Sequence, residues 1–379
     1  MRRFKRTLAA AALITTVVTG TAGWATAHQQ TAVTGPPAGT AAWRADHSLH
    51  RALPDPATAA PAEVARFFAA LPEDARQRLA ARHPLVVGNL DGVPPALRYE
   101  ANRRALTVER TAQRARAADA SLPRYEREEA RDLAGRYDEL LAPGRQILAF
   151  DPRGRGQLAE VYGDLAAARR TAVVVPGSDT DLSSFDRDRD PYGTPAGMAK
   201  SLRAEMRRQD PRTPTAVIAW AGYTTPVGVG LDAATGRLAE AGAPRLGRFL
   251  DGLAASGTAA PAVLCHSYGS VVCGLAAHEL RARDLVVLGS PGVHADSAEE
   301  LDTRARVWAV RRNDADWIGN VPNVELFGLG HGTDPTSAEF GARPVPSDGA
   351  HGHTGYFAPG TASLRNLARI ALGAYAAVR

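Results

Sequence analysis

Val263-Leu264-Cys265-His266-Ser267-Tyr268-Gly269-Ser270-Val271-Val272 is the stretch that decides the fold. An apolar run stops at a serine, and a helical pattern of small residues begins at once. Strand, tight turn and helix in that order form the context of a nucleophile elbow, in which the serine hydroxyl is lifted clear of a sheet. The elbow needs small residues two positions on either side, because strand and helix nearly touch there. Gly269 meets this on the downstream side; upstream, Cys265 stands where a glycine is usual. The helix that starts at the serine turns its N–H groups and partial positive charge toward Ser267, where negative charge would develop.

On either side of this stretch, apolar runs alternate with helical ones. Ile147–Phe150, Thr171–Val175, Ala216–Trp220, Asp284–Gly289 and Val307–Val310 read as strands. Helices are expected up to Gln209, across Pro244–Leu253, after the elbow, and over Leu364–Val378. Continuous apolar strands separated by helices predict an α/β fold, a mostly parallel sheet with helices on both faces. Upstream, residues 61–145 carry helical periodicity with Pro72, Pro84 and Pro143-Gly144 as punctuation, and form a helical N-terminal subdomain. Residues 28–60, rich in Ala, Thr, Gly and Pro, read as a flexible linker. The domain plan is thus a leader over 1–27, a linker over 28–60, helices over 61–145 and a catalytic domain over 146–379.

The leader combines Arg2, Arg3, Lys5 and Arg6 with an apolar run from Leu8 to Val18 and Ala25-Thr26-Ala27, the pattern of a secretory signal peptide. The run is too short to span a bilayer, so a secreted or cell-envelope protein is expected, with no stable membrane anchor after cleavage. Removing residues 1–27 takes four basic residues and no acidic one, and the formal charge falls from +5 to +1. Nothing in that balance calls for nucleic acid. The two cysteines, Cys265 and Cys273, would bridge the elbow strand and its helix if oxidised; a reduced buried pair is the alternative.

A serine nucleophile needs a base, an acid that orients it and an oxyanion hole, and in such a sheet the chain order is Ser, Asp/Glu, His. The acid belongs in the loop after Val307–Val310, where Asp316 is placed ahead of Asp314. The base belongs in the last loop before the closing helix, where His353 is preferred to His351 and to the more distant His331. The Tyr268 N–H supplies one oxyanion donor, and Gly177 or Ser178, after Thr171–Val175, the other. The polar connection from Gly177 to Pro195 carries Asp179, Asp181, Asp186, Asp188 and Asp190 against Arg187 and Arg189. Its length predicts that it borders the acyl pocket and disfavours anionic substrates. Asp186–Asp190 alternates like the start of a calcium loop, but Pro191 and Gly197 replace the required glycine and glutamate. No metal and no cofactor are expected.

Several words now stand together: Trp220-Ala221-Gly222-Tyr223-Thr224-Thr225-Pro226, His266-Ser267-Tyr268-Gly269-Ser270, Leu288-Gly289-Ser290-Pro291-Gly292-Val293, His331-Gly332-Thr333-Asp334-Pro335 and Gly352-His353-Thr354-Gly355-Tyr356. With Val87–Pro94 and Ala101-Asn102-Arg103 upstream, they resemble the actinobacterial DUF1023 family of α/β-hydrolases over residues 61–379. The resemblance implies an α/β-hydrolase fold with its nucleophile at Ser267, and names no substrate. The expectation is a secreted serine hydrolase of the esterase or lipase kind, acting on a small-molecule or lipid-like acyl substrate. A peptidase or amidase with the same triad, and a non-catalytic envelope-binding module on a hydrolase scaffold, are the alternatives. Oligomeric state is not legible.

Overall fold

The computed structural model describes residues 29–311, 313, 315–320, 325–326 and 329–379. The signal-peptide reading of 1–27 falls outside them. The chain begins along the surface of the body. The Gln30 N–H donates to Asp232 at 2.6 Å and the Val33 N–H to the Thr224 hydroxyl at 3.0 Å. The short helix α1 (Thr40–Arg44) buries Trp43 completely, with its indole N–H on Pro54 O at 2.8 Å. The expected flexible linker over 28–60 is therefore corrected to a packed strap. Its low hydrophobicity hid a single tryptophan that anchors it.

Five helices follow: α2 (Pro61–Ala69), α3 (Glu73–Arg82), α4 (Pro84–Asn89), α5 (Pro95–Ala118) and α6 (Arg124–Leu140). Prolines at the first turns of α2, α4 and α5 start them where a missing N–H costs nothing. Val64, Phe68, Leu79 and Leu90 pack with Trp43 in a core of their own, while Leu106, Tyr137 and Leu140 join the core of the sheet. The link to the sheet is polar and specific. Asn89 both donates to Phe150 O, at 2.6 Å, and accepts from Phe150 N–H, at 3.0 Å. Asn102 donates to Gly88 O and Ile147 O. Two asparagine side chains thus occupy the open hydrogen-bonding edge of the outermost strand, which would otherwise be free to pair with another chain.

The sheet strands are β1 (Ile147–Asp151), β2 (Gln157–Tyr162), β3 (Arg170–Val175), β4 (Thr215–Ala221), β5 (Ala262–His266), β6 (Asp284–Leu288), β7 (Gly292–Ala295), β8 (Arg306–Val310), β9 (Glu325–Leu326), β10 (Leu329–Gly332) and β11 (Arg343–Val345). Eight of them form one sheet in the order β1-β2-β4-β3-β5-β6-β8-β11; β7, β10 and β9 form a small second one. The large sheet is parallel except around β2, which runs antiparallel to both β1 and β4. The interleaved helices are α7 (Pro195–Gln209), α8 (Leu231–Ala234), α9 (Arg237–Ala255), α10 (Gly269–Ala276) and α11 (Ala362–Leu372). Successive strand residues face opposite cores, as pleating requires. Val173 and Val175 pack with α9 and α10, and Ala172 and Val174 with α7 and α11. The closing helix ends at Gly373, whose positive φ of 80° stops it six residues earlier than expected.

Cys265 on β5 and Cys273 on α10 are bonded, with Cα atoms 6.4 Å apart, so the open cysteine question is answered by a disulfide. Both are fully buried. The enclosed loop is short, and breaking the bond should cost roughly 2–3 kcal/mol by the chain-entropy estimate. Intact mass should show a two-proton deficit before reduction. A paired Cys265→Ser and Cys273→Ser variant should unfold at lower denaturant.

Candidate active site

The chain runs from β3 outward to β4 and then returns to β5 on the other side, so strand order reverses between β3 and β5. Open α/β sheets bind ligands at the carboxyl ends of such strands. Gly177 follows β3 there, and Ser267 follows β5. Ser267 has φ 55°, in the left-handed region that non-glycine residues seldom occupy. The surroundings enforce it: its N–H donates to Leu288 O at 3.0 Å and its carbonyl accepts from the Ser270 N–H and hydroxyl. A Cβ at Gly269 would come within 2.6 Å of both Val175 O and Pro176 O, which is why the elbow needs glycine downstream. Upstream, Cys265 in the place of a glycine is bonded to Cys273 on α10.

The structure brings Ser267, His353 and Asp316 into one hydrogen-bonded chain. Ser267 Oγ lies 2.8 Å from His353 Nε2, and His353 Nδ1 lies 2.8 Å from Asp316 Oδ1. The tautomer that fits has Nδ1–H donating to the carboxylate and Nε2 accepting from the serine. Burial alone would raise the Asp316 carboxyl; hydrogen bonds from His353 and from the Tyr356 hydroxyl, at 2.5 Å, outweigh it and hold the group below its ordinary value. Asp314, the other candidate acid, lies outside the described residues. His351 is exposed. His331 is buried instead beneath Tyr268, with its Nε2–H on Ala233 O and its Nδ1 3.1 Å from His294.

Four supporting residues escaped sequence reasoning. Tyr356, three residues after His353 in a short 3₁₀ turn, ties Asp316 down; that spacing was the one available signal. His266 donates from Nε2 to His353 O at 2.7 Å, with its ring 4.7 Å from the His353 ring. Asn313 clamps Gly352 by accepting from its N–H and donating to its carbonyl. Trp317, 44% exposed, packs on His353 at 4.8 Å between ring centres and stands at the solvent side of the site.

Gly177, one of the expected oxyanion donors, lies against the serine. A Cβ at Gly177 would stand 2.5 Å from Ser267 Cβ and 2.9 Å from its Oγ. The Tyr268 N–H has no acceptor among the described residues. The Tyr223 hydroxyl donates to Pro176 O at 2.7 Å and pins the start of this loop. Gly177→Ala should therefore displace the loop from the serine and lower kcat by a factor on the order of 10²–10³, the worth of one oxyanion donor. Steady-state ester hydrolysis measures it; a kcat within threefold of the parent would remove this loop from the oxyanion hole.

The acidic connection from Gly177 to Pro195 differs from expectation. Asp186 is bridged by Arg136 at 2.6 Å and Arg145 at 2.7 Å. Asp190 accepts from Gly193 N–H. Asp186 is thus bound to α6 and the segment after it, and is no free charge to repel an anionic substrate. The far end of the connection does approach the base loop, with Gly193 close against the Thr354 methyl.

Burial, with the nearby His353 adding to it, pushes His266 down to about 3, and burial pushes His331 down to about 4. Both stay neutral in the folded chain while the unfolded chain takes up protons below about pH 6.5. Stability contributed in this way is full above pH 6.5 and is lost as pH falls toward 4, by up to about 1.4 kcal/mol per pH unit for each histidine. Thermal unfolding of His331→Asn across pH 4–7 should show a shallower acid slope than the parent; equal slopes would count against it.

The family comparison agrees with this architecture. An alpha/beta hydrolase family matches residues 151–326, from the end of β1 through the elbow to β9. Two uncharacterized proteins of Mycobacterium tuberculosis, from strains CDC 1551 and H37Rv, are each 32% identical across 85% of this chain. The chain spans 57% of their length. Among solved structures, a CIB-like hydrolase from Thermoplasma acidophilum covers 61% of this chain and 97% of its own, at 13% identity and TM-score 0.35. A serine hydrolase without lid from Xanthomonas campestris covers 62% and 96%, at 16% identity and TM-score 0.35. With its family match and strand order, the chain has the α/β-hydrolase fold.

Proposed function

We propose that this chain is a secreted serine hydrolase that cleaves an ester or similar acyl bond through an acyl-enzyme. The observation that carries the reading is the Asp316–His353–Ser267 chain ending on a serine in the left-handed region. Ser267 Oγ attacks the acyl carbon as its proton passes to His353 Nε2. The carbonyl oxygen becomes an oxyanion held by the Tyr268 N–H and an N–H of Gly177 or Ser178. On collapse the acyl–oxygen bond breaks, and His353 returns the proton to the departing alcohol. Water then repeats the sequence and frees the acid. Asp316, held by Tyr356, fixes the tautomer and stabilises the imidazolium. Trp317 forms one wall of the approach.

Secretion rests on the leader and is supported by the buried disulfide, a bond kept in oxidising compartments. No helix among the described residues is long and apolar enough to cross a membrane. A fluorophosphonate probe should add one adduct to the parent chain and none to Ser267→Ala. Hydrolysis of p-nitrophenyl esters of rising acyl length, set against matched anilides, then separates esterase from amidase. An unlabelled parent, with no turnover of either series, would favour a binding module.

A further inference from the structure

The N-terminal strap, the helices, β1, β2, β4 and α9 line a half-open cavity of about 320 Å³, and Ser267, Asp316 and His353 are not among its lining residues. Such a volume suits a small organic molecule. Its polar wall holds Arg98, Arg153, Arg245 and Arg248 against Asp91 and Asp151, an excess of two positive charges. Arg98 is taken up by Asp91 at 3.1 Å and Arg153 by Asp151 at 2.6 Å. Arg248 reaches Asp91 only at 3.9 Å and spends one N–H on Ala59 O. Arg245 forms no ion pair among the described residues; it donates to two neutral oxygens, Gly222 O at 2.7 Å and Gln157 Oε1 at 2.5 Å.

The other end of that Gln157 amide supplies a second observation. Gln157 is 4% exposed, and its Nε2 has no partner among the described residues. A buried amide donor without an acceptor costs the folded state its lost hydrogen bond, so a wall that keeps one beside an unpaired guanidinium is built to be completed by an acceptor. Burial also pushes the Arg245 guanidinium down from its ordinary value, with the neighbouring carboxylates only partly restoring it. The lining also carries an apolar part, with Trp220 and Phe249 and, from the strap, Pro36, Pro37 and Pro56.

We propose that this cavity is a binding site for a small organic anion, its carboxylate or phosphate held by Arg245 and the Gln157 amide and its apolar body lying against Trp220 and Phe249. It is separate from Ser267, and it stands whether or not that serine is a nucleophile. The strap that helps line it is the segment whose composition reads as a linker, so the site exists only in the assembled fold.

Calorimetric titration of the Ser267→Ala chain, which keeps turnover out of the signal, tests it with phenyl phosphate, benzoate and inorganic phosphate as probes. Phenyl phosphate or benzoate should bind one to one, and whichever is tighter names the anion. Arg245→Gln and Gln157→Leu should each weaken that binding at least tenfold, the loss expected when one charge-assisted hydrogen bond is removed. Two variants are used so that one which fails to fold, as judged by thermal unfolding, leaves the other to decide. No saturable heat from any probe up to about 10 mM, far beyond a physiological affinity, overturns the site. Binding unchanged in both variants overturns its location. Inorganic phosphate binding as tightly as phenyl phosphate overturns the role of the apolar wall.

Discussion

Ser267→Ala should lower kcat for ester hydrolysis by a factor on the order of 10⁴–10⁶ and leave the fold intact. The substitution removes the attacking oxygen and one hydrogen bond, to His353 Nε2. It leaves the backbone untouched, since alanine at φ 55° meets the same steric cost as serine. The Leu288 O and Ser270 bonds that hold the elbow run through backbone atoms of residue 267 and survive. Residual turnover would come from the oxyanion donors and substrate binding alone. The measurement is p-nitrophenyl ester hydrolysis beside circular dichroism. A folded alanine variant working at the parent rate would remove Ser267 from the mechanism.

Asp316→Asn should reduce kcat by about 10⁴-fold, because an amide in that place favours the imidazole tautomer with its proton on Nε2, where it cannot take the serine's proton. The geometry extends this to a graded series. Tyr356→Phe leaves the carboxylate in place and removes only the hydroxyl that donates to its Oδ2. A hydrogen bond to a charged group is worth about 1.5–3 kcal/mol, so this variant should lose roughly 10–100-fold. Asp314→Asn should do far less than either. The order Asp316→Asn, Tyr356→Phe, Asp314→Asn in kcat is the expected result; a crippling Asp314→Asn would reverse the assignment of the acid. KM should move little across the series, since none of the three groups is placed against the substrate.

Much of this was legible along the chain because it depends on local order. A strand that stops at Ser267, small residues beyond it, and an Asp and a His in later loops follow from strand–loop grammar, which repeats with period and punctuation. The alternation of buried strands and helices likewise carried the fold class. β2 escaped because its run, Gln157–Tyr162, mixes Gln and Glu with apolar residues, and the buried Glu160 takes its ion pair from Arg145. That partner lies fifteen positions away, and no periodicity announces it.

The sequence by itself determined the chain order of Ser267, Asp316 and His353, the requirement for glycine at 177 and 269, and the sheet that carries them. These are set by backbone sterics and by side chains alternating along single strands. Only the tertiary structure decided that the cysteines are bonded, that Asp186 is consumed by Arg136 and Arg145, that Tyr356 and His266 brace Asp316 and His353, and that Arg245 is left without a counter-ion among the described residues. Each of those depends on which charges and donors meet across many residues of chain. Whether a buried charge is paired or left open follows from distance in space, to which spacing along the sequence is no guide.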